Sequence, residues 1–193
     1  MIEKIIGAFT FKPGVYAEVK KDASFTGSAW LIVAVTAILN SLGTSAAASH
    51  GRFGVWLLGA LFAALFAVGG FALACFVIAW VGKTVFNTTA SFNEIVRPLG
   101  LANVWHIVGV LGLLALITPA LGCVTGIFSL AAGILGFIAW LIAAREALGL
   151  EWPQTIATVV LGMIVVTVVS VISGLVLGAF GLATAALLGA FRG

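Results

Sequence analysis

Polar positions interrupt this chain rarely, and the longest interruption, 82–98, reads Gly-Lys-Thr-Val-Phe-Asn-Thr-Thr-Ala-Ser-Phe-Asn-Glu-Ile-Val-Arg-Pro. Long apolar runs lie on both sides of it. A bilayer core of about 30 Å needs about 20 helical residues at roughly 1.5 Å each. Five runs meet that length, at 28–47, 53–81, 99–117, 122–144 and 154–176, two before the polar loop and three after it. Trp30, Trp80 and Trp152 stand near run ends, at the headgroup depth that indole rings favour. The run 53–81 is over-long for a straight crossing and predicts tilt or a kink, with Gly69-Gly70 the place for a bend or a close helix contact. The final stretch, 154–191, would be about 57 Å long as one helix. It predicts one span plus a bent or interfacial tail, bending at Ser173-Gly174 or 178–181, with a sixth span as the alternative.

Between the runs, local signals set the joints. Ile2, Ile5, Ile6 and Phe9 share a helical face and predict a short interfacial helix, ended by Pro13-Gly14. A second short helix follows over 15–23, with Val15, Tyr16, Val19 and Ala23 inward and Glu18, Lys21 and Asp22 outward. Neither is long enough to span. Ser49-His50-Gly51-Arg52 is the turn that ends the first span. Ser91-Phe92-Asn93-Glu94 has the capping-box spacing, so a helix starts at Phe92. Pro98 clashes with a preceding helical turn and is better placed as the first residue of the third span, which predicts a short helix, a bend and then a membrane helix. Thr118-Pro119-Ala120-Leu121-Gly122 is a tight hairpin. Gly149 stops the fourth span, and Pro153 opens the fifth.

The chain thus divides into a cytoplasmic or interfacial segment, 1–27, and a membrane domain, 28–193. Composition agrees. Of 193 residues, 63% are hydrophobic and 8% charged, with a mean hydropathy of +1.28, against about 25% charged in an ordinary soluble domain. The expected fold is all-α, a polytopic membrane helix bundle with five transmembrane helices and short N-terminal interfacial helices. The start, with Glu3, Lys12 and Pro13 around a short apolar part, does not read as a cleaved secretory signal. With five spans, Lys4, Lys12, Lys20, Lys21, Lys83, Arg97 and Arg145 fall on one side and Arg52 and Arg192 on the other. The positive-inside rule puts the amino terminus and the central loop in the cytoplasm. The net charge of +3 belongs to this fringe and not to nucleic-acid binding.

Reactive groups are few. Cys75 and Cys123 read as small core residues of the spans. No Cys-x-x-Cys, His-Glu-x-x-His or nucleophile triad is present, so no cofactor, metal site or enzymatic activity is expected. Gly82-Lys83-Thr84 copies the end of a phosphate-binding loop, but Val77 stands where its first glycine belongs. His106 is the only residue within the spans that titrates near neutral pH, and no acid or second histidine shares the interior with it. It marks an intramembrane polar site. Lys83, Glu94, Arg97, Arg145 and Glu146 gather at one membrane face, as ion pairs and anchors or as a docking surface for a partner or anionic lipid heads. Gly122-x-x-x-Gly126 and Gly174-x-x-x-Gly178 have the spacing of close helix packing.

The opening from Phe11-Lys12-Pro13 through Val19, the loop with Ser91-Phe92 and Arg97-Pro98-Leu99-Gly100, and the joint Arg145-Glu146-Ala147-Leu148-Gly149-Leu150 together resemble the Yip family of Ypt/Rab-interacting membrane proteins, in its prokaryotic branch. The resemblance covers nearly the whole chain. It implies a five-span bundle with a cytoplasmic amino terminus, here in a bacterial cytoplasmic membrane. Eukaryotic members bind small Rab-type GTPases and one another. This chain departs from them in having only about 27 residues before its first span and in lacking an Asp-Leu-x-Gly-Pro signature. The function this implies is a non-enzymatic scaffold that associates with membrane lipids and with other integral membrane proteins or itself. The alternative is a small-solute or ion transporter or channel subunit, built on Asn40, Ser41, Thr44, Asn103 and His106.

Overall fold

The structure is a computed structural model that describes residues 1–46 and 53–190. Among these, every regular element is helical. Two short helices, α1 (Ile2–Phe9) and α2 (Val15–Lys21), precede α3 (Phe25–Ala46) and α4 (Phe53–Val85). Then α5 (Phe92–Ala102) runs without a break into a 3-10 helix, Asn103–Leu116, followed by α6 (Pro119–Leu148) and α7 (Trp152–Ala190). Five of these segments are long and apolar enough to cross a bilayer, and α5 with its 3-10 continuation counts as one. The protein is a multi-pass membrane bundle. The predicted turn at 49–52 lies outside the described residues, as do Arg52 and Arg192, and the side chains expected to bend the tail near 181 are likewise not described.

The amino-terminal end of the bundle is built around α5. Ser91 and Glu94 close the expected capping box: the Ser91 N–H donates to the Glu94 carboxylate at 2.7 Å, and the Glu94 N–H donates to the Ser91 hydroxyl at 3.4 Å. The bend expected before Pro98 does not form. Pro98 sits inside α5. Its missing N–H removes the helical donor to the Glu94 carbonyl, yet the helix continues through it. The change of winding comes later, at Asn103. Ile95, Val96, Leu99 and Leu101 are fully enclosed there by α2, α3, α4 and α6.

The α1–α2 pair lies against that core. Val15, Tyr16 and Val19 turn inward as their spacing predicts, whereas Ala23 is exposed, because α2 ends at Lys21 before its stripe reaches that residue. Lys4 on α1 donates to Asp22 at 2.8 Å and sits 3.5 Å from Glu18, which ties the pair together. That hydrogen bond holds the Asp22 carboxyl down at about 2 and raises the Lys4 ammonium above its usual value. Burial pushes the Tyr16 phenol up to about 12.

Of the two roles expected at Gly69-Gly70, the bend does not form, since α4 is unbroken there, while the close contact does: an added Cβ at Gly70 would stand 3.2 Å from Val169 of α7. Other expectations are corrected. Helix α7 is one continuous helix to Ala190, with no separate sixth span and no break at Ser173-Gly174. Of the glycines in the two predicted packing motifs, a Cβ at Gly126, Gly174 or Gly178 would meet nothing within 4 Å, and one at Gly122 would stand at an ordinary 3.6 Å from Ala115. Cys75 is buried as expected, but Cys123 is exposed. Gly149 caps α6 in the left-handed region, φ 67°, with its N–H on the Arg145 carbonyl at 2.8 Å.

Candidate functional site

The 3-10 stretch explains the inner half of the site. In a 3-10 helix, residues three apart lie in line, whereas in an α-helix they drift by about 60° each time. Asn103, His106, Gly109, Gly112 and Ala115 are spaced by three. Tight winding therefore gives this segment one small or polar edge along its length. That edge meets α3 backbone to backbone. A Cβ at Gly43 would overlap the Gly109 carbonyl, one at Gly109 would overlap the Asn40 amide oxygen, and one at Gly112 would stand 2.7 Å from the Gly43 carbonyl carbon. A thinner helix without side chains at 109 and 112 is what permits this approach.

Beside that contact the helices part and leave a cavity of about 320 Å³. One buried water needs only roughly 10–15 Å³, so this space suits a molecule. It extends along α3 from Val33 to Thr44, eleven residues, or about 16 Å. Helix α3 contributes Thr36, Asn40 and Thr44 to its wall, and the 3-10 stretch contributes Asn103 and His106. Ser129 comes from α6 and Ser170 from α7. The imidazole of His106 is exposed to the cavity, and the Asn103 amide, only 8% exposed, donates to the Leu99 carbonyl at 3.4 Å. Among the described residues no acid, lysine or arginine lines the space.

Aromatic rings floor the cavity toward the amino-terminal end. Trp30, Phe71 and Trp140 form an edge-to-face chain from α3 across α4 to α6, with centroids 5.6 and 6.0 Å apart. Trp105 is clamped from outside by Phe9, edge-on at 5.0 Å, and by Phe11, stacked at 5.6 Å. The indole N–H groups of Trp105 and Trp140 are buried with no partner among the described residues. Toward the opposite end Thr44, Ser129 and Ser170 are exposed. Gly133 also lines the space, and a Cβ built there meets nothing within 4 Å.

The polar site marked by His106 is thus larger than a lone imidazole. Asn40, Thr44, Asn103 and His106 come together as the transport alternative requires, while Ser41 is buried beside the cavity and does not line it. Thr36, Ser129 and Ser170 were missed. Each sits singly in an apolar run, and only the period-three spacing of the 3-10 edge hints at where the polar faces converge.

Of the five charged residues at the other end, three are engaged within the chain. Arg97 turns inward, its Nε donating to the Thr26 hydroxyl at 2.7 Å and a terminal nitrogen to the Lys20 carbonyl at 2.8 Å. Glu94 completes the cap on Ser91, and Arg145 lies over the Trp152 ring at 4.7 Å. Lys83 is exposed and Glu146 half-buried.

No protein-family model, no curated protein and no solved structure matches this chain.

Proposed function

We propose that this membrane protein takes a small polar solute into the centre of its bundle and passes it across the bilayer. The observation that carries the reading is the convergence of seven hydroxyl, amide and imidazole side chains from four spans on one void. Polar groups facing lipid lose their hydrogen bonds to water and are costly. Gathering them around a space of molecular size fits a chain selected to hold something there. The aromatic floor closes the space on one side, and exposed hydroxyls mark the other. The charge pattern orients it: Lys4, Lys12, Lys20, Lys21, Lys83, Arg97 and Arg145 gather at the amino-terminal end, which we place in the cytoplasm, so the aromatic floor faces inward.

A Yip-type association role is the second reading. Lys83 and Glu146 favour it, since neither is held by a hydrogen bond or ion pair among the described residues. It ranks second because Arg97, Glu94 and Arg145 are engaged within the chain.

The test is swelling of reconstituted vesicles in gradients of small neutral and charged solutes. Faster entry than in protein-free vesicles, reduced by Gly133→Leu and altered by His106→Ala, supports passage through the cavity. Permeability equal to protein-free vesicles for every solute ends this reading and leaves association.

A further inference from the structure

The hydrogen-bonding groups on the cavity wall are not equivalent. Thr36 donates to the Ile32 carbonyl at 2.7 Å, Thr44 to the Asn40 carbonyl at 2.9 Å, and Ser170 to the Val166 carbonyl at 2.8 Å. Each of these hydroxyls has committed its proton to its own helix and keeps lone pairs for the cavity. A molecule that meets them must bring donors of its own. The floor, by contrast, is made of rings, Phe71, Trp105, Phe137 and Trp140, which reward a flat apolar body with stacking or edge-on contact. Among the described residues the wall has no acid or base apart from the His106 imidazole, so a charged guest would lose its hydration with no counter-charge from them to replace it.

We infer that the cavity binds an uncharged, planar ring compound carrying an N–H or O–H donor, its ring on the aromatic floor at Trp140 and its donor on the Thr36 oxygen, the hydroxyl that lies toward that floor. This rests on the cavity being a solute site. It adds the chemical class, which transport alone leaves open. Ions are excluded by the bare wall, and ring-free polyols gain nothing from the floor.

The probe is indole, against glycerol as a ring-free neutral and benzylammonium and benzoate as charged rings. Binding is measured by equilibrium dialysis on the full chain in nanodiscs, and only the part lost in Gly133→Leu is counted, which removes partition into lipid. A second filling variant, Ser129→Phe, serves if Gly133→Leu does not fold. The expected result is saturable indole binding near one per chain, lowered at least tenfold by either variant, with weak competition from the other three probes. Glycerol or a charged ring binding as well as indole overturns the ligand class and leaves the cavity as a solute site. No probe showing binding that either variant removes overturns both.

Discussion

Around α5 the largest enclosed side chains are Ile95, Leu99, Leu101 and, from the neighbouring helices, Ile78 and Val19. Past the cavity, toward the far end of the bundle, the buried residues are Gly43, Ala46, Ala60, Thr125 and Ser173. Both regions lie within one stack of five spans of similar hydropathy, and they pack differently. Large branched side chains hold helix axes apart and fill what lies between. Small ones let two backbones touch, as α3 and the 3-10 stretch do at Gly43, Gly109 and Gly112. With α3 and the third span drawn together, α6 and α7 cannot close on both at once. The space they leave is the cavity, and polar side chains are placed where it opens. In lipid, where apolar residues gain little by leaving solvent, such packing differences decide where a void is tolerated.

The sharpest way to break the contrast is at the glycine contact. Gly43→Val should prevent folding of the bundle, because its side chain would occupy the space of the Gly109 carbonyl. Gly126→Val and Gly174→Val should be near neutral, since an added Cβ at either meets nothing within 4 Å. Size-exclusion profiles and thermal melts in detergent separate these outcomes. A tolerated Gly43→Val would mean the backbones do not touch.

Next in size is Leu99→Ala in the filled half. It should cost about 2–3 kcal/mol in reversible denaturation, at the low end for a buried leucine because lipid tails are themselves apolar. Leu130→Ala, on an exposed position of α6, should change little. Smaller again is Ser91→Ala, which removes the reciprocal cap that starts α5 and should cost about 1 kcal/mol.

The smallest effect is the pH dependence of the α1–α2 tie. Asp22 has its folded value lowered from 3.8 to about 2, so its stabilisation is present above 3.8 and is lost as pH falls through about 2. Lys4 carries the complementary sign: raised from 10.5, it contributes below that value and loses its contribution as the pH climbs past it. Proteolysis of the amino-terminal segment should rise in acid for the native chain and be high at all pH values for Asp22→Asn.

Much of the bundle could be read from pattern. Span length, the Ser91–Glu94 cap and the Gly149 stop are local properties, and each is where its residues place it. What could not be read is what depends on partners. The motif glycines at 126, 174 and 178 have the right spacing but open space in front of them, whereas Gly43 and Gly109, with no such motif, touch. Pro98 was expected to open a span because its ring disfavours a preceding turn, yet the packing around Ile95 and Leu99 carries the helix through it. The cavity was half visible. His106, Asn103, Asn40 and Thr44 stood out as polar residues in apolar runs. Ser129 and Ser170 looked like ordinary helix serines until folding set them on the same wall.

The most direct measurement of the central claim, a solute-sized polar cavity beyond a closed α5 core, is cysteine accessibility. In a chain with Cys75 and Cys123 replaced by alanine, Ser129→Cys and Leu99→Cys are compared for labelling by a small water-soluble methanethiosulfonate in reconstituted vesicles. Rapid labelling at 129, slowed by indole, with none at 99 is the predicted result. No labelling at 129, or equal labelling at both positions, would contradict it.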